Sequence, residues 1–233
     1  MESTSRGDRA GDVQRMFGRI AKRYDLMNRL MTAGQDVRWR REVIRRSKLP
    51  PGGHLLDLGT GTGDLGREAL VQVPECEVFA ADFTLEMMKV GKFRTPSNKL
   101  NWTGADALHL PFNEGSFEAV VSGFLLRNVV DIPQSLQEQR RVLKPGGSIV
   151  VLDTTRPAEN SLQVLIHFYL HVIIPNLGRL ITGEAEAYTY LPETTEAFLK
   201  AEQLASLMAE AGFHQIGFRR LMFGTIAIHW GIK

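Results

Sequence analysis

The sequence predicts an α/β fold, with a mostly parallel seven-stranded sheet, helices on both faces and an antiparallel strand from a C-terminal hairpin. Three observations predict it. Short apolar runs alternate with segments of helical period through the middle of the chain. One of these runs leads directly into alternating glycines and a helix start, in the stretch HLLDLGTGTGD from His54 to Asp64. The chain then ends in two β-like runs, Gln215–Leu221 and Thr225–Trp230, separated by Met222, Phe223 and Gly224.

Taken in order, residues 1–12 are polar and read as a flexible tail, with no apolar core of a signal peptide. Residues 13–233 read as one domain, because 233 residues with 43% hydrophobic content suffice for one sizeable core. Residues 13–50 form a helical cover. Met16, Phe17, Ile20, Tyr24, Met27 and Met31 recur at helical steps over Val13–Met31, and DVRWRREVIRR makes a second helix ended by Pro50, Pro51, Gly52 and Gly53. The expected strands are Leu55–Leu58, Val78–Ala81, Leu100–Gly104, Ala119–Gly123 and Ser148–Asp153. The expected helices between them are Leu65–Gln72, Leu85–Phe93, Ile132–Leu143 and Glu196–Ala211. KPGG at Lys144–Gly147 reads as a turn into the fifth strand. Residues 156–195 form an apolar insert, whose strongest stretch, Leu162–Ile181, carries too many polar groups to span a bilayer.

The formal charge is only +2, although the N-terminal portion is rich in Arg and Lys. Such a face could meet nucleic acid or anionic lipid headgroups, although such runs are most often solvated helix surface, and no nucleic-acid partner is expected. A single cysteine, Cys76, excludes an internal disulfide and fits a reducing, cytoplasmic setting. No metal site is expected: His167 and His171 stand four apart, but no Glu or Cys nearby completes a ligand set. Neither a GxSxG elbow nor a Walker lysine is present.

The chemistry gathers at the strand ends. Gly59, Gly61 and Gly63 let the backbone bend sharply and approach a ligand. Asp57 and Asp64 flank them where a pyrophosphate would be repelled, so a positively charged ligand fits better, and S-adenosylmethionine carries a sulfonium and an α-ammonium. Capping by Asp64 and bracing of loop amides by Asp57 is the competing reading. Asp82, about twenty residues beyond the turn, can accept both hydroxyls of a ribose, in NAD as well as in adenosylmethionine. Asp106 can read an adenine edge or simply close a strand-end turn, and Phe83 and Leu108 could sandwich the ring. Arg127 and Asn128 follow the fourth strand. Arg127 can stabilise a developing anion but cannot act as a base, and an ion pair with Asp131 is the alternative. Tyr24 could point its phenol into a pocket.

Four segments make the chain resemble the ubiquinone/menaquinone biosynthesis C-methyltransferases: FGRIAKRYDLMNRLMTAG, DLGTGTGDL, LLRNVVD, and AYTYLPET followed by a C-terminal AGF. The resemblance implies a Rossmann-like class I methyltransferase fold and adenosylmethionine as cofactor. Thr62, Asp82, Asp106 and Ala107 match the family's cofactor contacts, and Gly123 stands where relatives often have Ser. Tyr24, Arg127 and Asn128 match residues proposed to handle the proton of a quinol substrate. Two departures stand out: Leu125 replaces a glycine in GFLLRN, and LDTTRP replaces LEFSxP, with Asp153 for the usual Glu.

The function implied is transfer of a methyl group to a ring carbon of a prenylated quinol, demethylmenaquinol to menaquinol. The insert and the Met-rich helix would accept the isoprenoid tail at the inner face of the plasma membrane. Ordinary core plus a homodimer face is the other reading of those apolar stretches. The rivals are a methyltransferase for another small or lipid-like substrate, a non-catalytic cofactor- or lipid-binding assembly subunit, and an NAD-dependent oxidoreductase.

Overall fold

A computed structural model describes residues 6–21, 23–95, 99–156, 167–174, 176, 194–195 and 197–233. Among these, helices α1 (Arg6–Ile20), α2 (Tyr24–Met31) and α3 (Gln35–Ser47) precede an alternation of strands and helices. It runs β1 (His54–Leu58), α4 (Asp64–Gln72), β2 (Glu77–Asp82), α5 (Leu85–Arg94), β3 (Leu100–Gly104), β4 (Phe117–Gly123), α6 (Ile132–Val142) and β5 (Leu143–Thr154). Helix α7 (Ala201–Glu210) and strands β6 (His214–Leu221) and β7 (Ile226–Ile232) close the chain. The seven-stranded sheet has the order β3-β2-β1-β4-β5-β7-β6. Strands β1 to β5 pair in parallel, whereas β7 lies antiparallel between β5 and β6, with Val150 opposite Trp230.

Both faces are covered because the central strands are apolar on both sides. Leu55, Val78, Val121 and Val150 pack with Trp39, Val43 and Ile44 of α3 and Leu65 of α4. Leu56, Leu58, Val120 and Val151 pack with Leu136 of α6 and Leu204 and Met208 of α7. A smaller cluster of Ile20, Met27 and Ile174 joins the N-terminal helices to residues 167–174.

Several expectations need correction. The tail expected over 1–12 is helical from Arg6, because α1 gains support from α5 and the loop before it: Gln14 donates to the Phe83 carbonyl (2.9 Å), and Gly18 lies against Glu86 of α5. The helix expected over Val13–Met31 is broken after Ile20, and α2 restarts at Tyr24. Strand β5 starts earlier than expected, at Leu143, and KPGG makes the bend within it: Gly146 has φ of 78°, and the pairing with β4 passes from Leu143 directly to Ser148. The last helix begins at Ala201, since Lys200 is extended. Most of the insert expected over 156–195, and AYTYLPE within it, lies outside the described residues. Among the described residues no helix is long and apolar enough to cross a membrane.

Helix α5 bears closely on the glycine turn. A Cβ at Gly91 would stand 2.4 Å from the Thr62 carbonyl oxygen and 2.4 Å from the Trp102 ring. Gly91→Ala should therefore displace the turn and cost about 1–3 kcal/mol despite alanine's better helix propensity. Thermal unfolding checks this, and an unchanged midpoint would contradict the contact.

Candidate functional site

Strand β1 leads into a turn in which Gly59, Gly61 and Gly63 have φ of 67°, 56° and 87°. Side chains enter that region only under strain. The turn spends its N–H groups inward. Gly59 and Thr60 donate to the Ala81 carbonyl (2.8 and 3.0 Å), Gly63 donates to the Thr60 carbonyl (2.8 Å), and Gly61 donates to Asp82 Oδ2 (2.7 Å). A pyrophosphate needs free N–H groups at such a turn, and four of the five from 59 to 63 are occupied.

Asp57 braces this turn from below. Its Oδ2 accepts from the Thr60 hydroxyl (2.6 Å) and the Gly66 N–H (2.9 Å), while its Oδ1 is buried without a partner. Burial pushes its carboxyl up to about 6, against those two bonds and with help from the charges of Asp82 and Asp64. Asp82 is also raised by burial, with Oδ1 accepting the Thr84 N–H (2.6 Å). Both carboxylates keep lone pairs that only a ligand's positive or hydrogen-bearing groups would use.

Other predicted positions are occupied differently. Asp64 is already compensated by Arg40 (2.6 Å) and Arg67. A further carboxylate near the turn comes from Asp25 on α2, and it too is partnered: its Oδ1 accepts from the Thr62 hydroxyl (2.7 Å) and its Oδ2 meets Arg94. Burial raises the Asp25 carboxyl, and the neighbouring Asp64 adds to this. Asp106 is exposed in a strand-end turn, with Oδ1 accepting the Leu108 N–H (2.9 Å). Gly63 faces away from the ligand side, where a Cβ would meet the Trp102 ring at 2.7 Å.

Three adjoining cavities open around the turn. The first is lined by Gly59, Asp82, Phe83, Asp106, Ala107 and Leu108, among others. The second is polar, with Asp25, Arg40, Asp57, Thr62 and Asp64 in its wall. The third is mostly apolar and includes Asn28, Phe124, Arg127, Thr154 and Tyr169. Phe124 borders all three, and Tyr24 and Gly123 border the first two. The first two cavities fit adenosylmethionine: Phe83 and Leu108 could bracket a flat ring, Asp82 could take ribose hydroxyls, and the orphaned Asp57 oxygen suits a positive charge.

Arg127 is 8% exposed in a 3-10 turn, Leu126–Asn128. Its partner is not Asp131, which caps α6 by accepting the Gln134 N–H (3.0 Å). Asp153 takes that place, 4.0 Å from Arg127 Nε and accepting the Arg127 N–H at 3.3 Å. At that distance Arg127 Nε is buried without a hydrogen bond. Burial raises the Asp153 carboxyl, while the Arg127 charge pulls it the other way. Tyr24 is likewise pushed up by burial, with Arg127 and Asn28 beside it acting in the opposite direction. Asn128, predicted in the same group, borders the first cavity instead and donates to the Phe124 carbonyl (3.1 Å). The amide beside Tyr24 is Asn28, one helical turn on, a spacing that could have singled it out.

An open parallel sheet with this antiparallel end and an acid-lined glycine turn is the architecture of the S-adenosylmethionine-dependent methyltransferases. The fold matches a crystal structure of such an enzyme from Thermotoga maritima with a TM-score of 0.65 and 19% identity, over 94% of this chain and 98% of that one. The model of the ubiE/COQ5 methyltransferase family matches residues 3–233, and the chain belongs to that family. It is 47% identical over 221 residues to the ubiquinone/menaquinone biosynthesis C-methyltransferase UbiE of Desulfotalea psychrophila, covering 95% of this chain and 90% of that one. It is 42% identical over 218 residues to the demethylmenaquinone methyltransferase of Thermus thermophilus, covering 93% and 99%. The protein is an S-adenosylmethionine-dependent methyltransferase.

A bound cation would pull the Asp57 carboxyl down from about 6, so binding should release a proton near that pH. Affinity for adenosylmethionine should fall as pH drops below about 6, by up to roughly tenfold per unit, and Asp57→Asn should flatten the profile. Calorimetry in buffers of different ionisation enthalpy reads both effects. An affinity indifferent to pH across that range would contradict a cation beside Asp57.

Proposed function

We propose that the chain methylates a ring carbon of a reduced prenylated quinone, demethylmenaquinol foremost, with Arg127 stabilising the charge that forms on the quinol oxygen. One observation carries this reading: a guanidinium nitrogen buried without a hydrogen bond, in an apolar chamber that shares Phe124 with the cofactor cavities. The names of the relatives support the quinol. When bound, adenosylmethionine supplies an electrophilic methyl group on a positively charged sulfur.

The rest is the work of the chain's own groups. Thr62, Asp82, Phe83, Asp106, Ala107 and Gly123 hold the cofactor around the turn, with Asp57 and Gly59 shaping its polar end. A quinol oxygen that gives its proton to water pushes electron density onto the adjacent ring carbon, which takes the methyl group as the carbon–sulfur bond breaks, and the ring proton then leaves to water as aromaticity returns. Arg127 favours that loss by offering Nε to the oxyanion, and Asp153 keeps the guanidinium in place. Tyr24, held in its protonated form, and Asn28 add donors at the same border, while Asn128 fixes Phe124 through its carbonyl. Alignment of the two partners supplies much of the remaining acceleration. A dinucleotide oxidoreductase is disfavoured by the occupied N–H groups of the turn.

The tail leaves the chamber beside an exposed apolar face. Leu26 and Leu30 of α2 are 53% and 44% exposed, and Phe168, Val172 and Ile173 are exposed on the segment that Tyr169 ties to the Met31 carbonyl. This apolar face fits the interfacial region of a cytoplasmic membrane.

Arg127→Ala should lower turnover of short-chain demethylmenaquinol by roughly 10²–10³ while adenosylmethionine affinity stays within about twofold. Near-normal turnover would end the assigned role. Sedimentation with phosphatidylglycerol vesicles should carry the wild type down and leave the double variant Leu26→Asp, Leu30→Asp largely in solution. Equal sedimentation would remove the membrane face, and a dimer broken by the same pair would assign it to a second copy.

A further inference from the structure

The third cavity holds more unsatisfied polar atoms than any hydrogen-bonding wall needs. Among the described residues, the buried side-chain atoms without partners include Asn28 Nδ2, Arg127 Nε and Thr154 Oγ1, and all three residues line this one chamber. Each is at most 9% exposed. An unmet buried polar atom is costly, so three around one space mark a place built for a ligand that meets them. Two are N–H donors, and one is a hydroxyl that can donate or accept.

Neighbouring hydroxyls are already used. Thr32 Oγ1 donates to the Asn28 carbonyl (2.8 Å), and Thr225 Oγ1 donates to the Met222 carbonyl (2.8 Å). Thr154 has no such outlet: its own N–H is bonded to Asp153 Oδ1 (2.7 Å), and its side chain stands at the end of β5, one residue beyond the carboxylate that holds Arg127.

We propose that Thr154 is a specificity-determining residue whose hydroxyl binds the second oxygen of a dioxygenated aromatic ring, while Arg127 and Asn28 bind the first. The inference rests on the quinol reading above and deepens it. A ring with one oxygen would satisfy the Arg127 end and leave Thr154 Oγ1 buried and unmet. A site with a polar group committed to a substrate oxygen rejects the analogue that lacks it.

The test compares a short-chain 2-prenyl-1,4-naphthoquinol, kept reduced, with the corresponding 3-prenyl-1-naphthol, which keeps the oxygen next to the acceptor carbon and lacks the other. The holoprotein loaded with adenosylmethionine is used in wild-type, Thr154→Val and Thr154→Ser forms. Wild type should bind the quinol roughly tenfold or more tightly than the naphthol. Thr154→Val should raise KM for the quinol by about that factor and erase the discrimination, with adenosylmethionine affinity and melting temperature unchanged. Thr154→Ser should restore it. Undiminished discrimination in Thr154→Val overturns the role of Thr154 while leaving the quinol as substrate. A wild type that binds and methylates neither ring overturns the quinol reading and this inference with it.

Discussion

The site depends on two carboxylates, Asp57 buried beneath a backbone turn and Asp82 half-buried beside it, that together hold the turn in shape. Each accepts turn or loop N–H groups, and each sits where burial disfavours its charge. That arrangement is poor for stability in isolation, because the bonds to Gly61, Thr84, Thr60 and Gly66 do not fully offset the loss of water. Under the proposed reading, a ligand bearing positive charge and hydroxyls would complete it. The inward use of the turn's amides belongs to the same constraint: the backbone is rigid and closed to phosphate, so recognition falls to the carboxylates and to the cavity walls.

The N-terminal helices matter because they close this arrangement from the outside. Arg40 joins Asp36 of its own helix to Asp64 at the start of α4, and Asp25 joins α2 to Thr62 and Arg94. Gln14 ties α1 to the carbonyl of Phe83. The cover is therefore pinned to the turn, to α4 and to α5 by polar contacts, while Met27 and Ile20 supply its apolar anchor. Asp64, which in isolation reads as a ligand group, serves as the anchor for Arg40.

This difference shows what was legible in the chain. The strand and helix order, the sheet's antiparallel end and the glycine turn follow from local periodicity and turn chemistry, and the structure keeps them within a few residues. Pairing across the sheet follows from none of these. Arg127 and Asp131 are a helical turn apart, yet Asp131 caps α6 and Asp153 on β5 reaches the arginine. Asn128 adjoins Arg127 in sequence, yet the 3-10 turn sends the two side chains to different cavities and brings in Asn28 from α2. The helical tail fails for a related reason: α1 is held by α5, and nothing within residues 6–20 announces that support.

Phe124 is where these strands of the structure meet. It has φ of 60°, a region costly for an aromatic residue by about 1–3 kcal/mol, and it is held there from three sides. Its N–H donates to the Leu152 carbonyl (2.7 Å), its carbonyl accepts from Asn128, and the Arg127 guanidinium lies 5.1 Å from its ring centroid. The ring borders the cofactor cavities and the acceptor chamber alike. Leu125, beside it, takes the space above the turn so closely that a Cβ on Gly59 would stand 2.9 Å from Leu125 Cδ1. Glycine at 59 is what lets a leucine occupy that position, so the bulk at 125 and the bare backbone at 59 are one packing solution. Arg127, Phe124 and the turn are thereby locked to one another, and under the proposed reading a donor at the turn and a ring at Arg127 would meet across a single aromatic side chain.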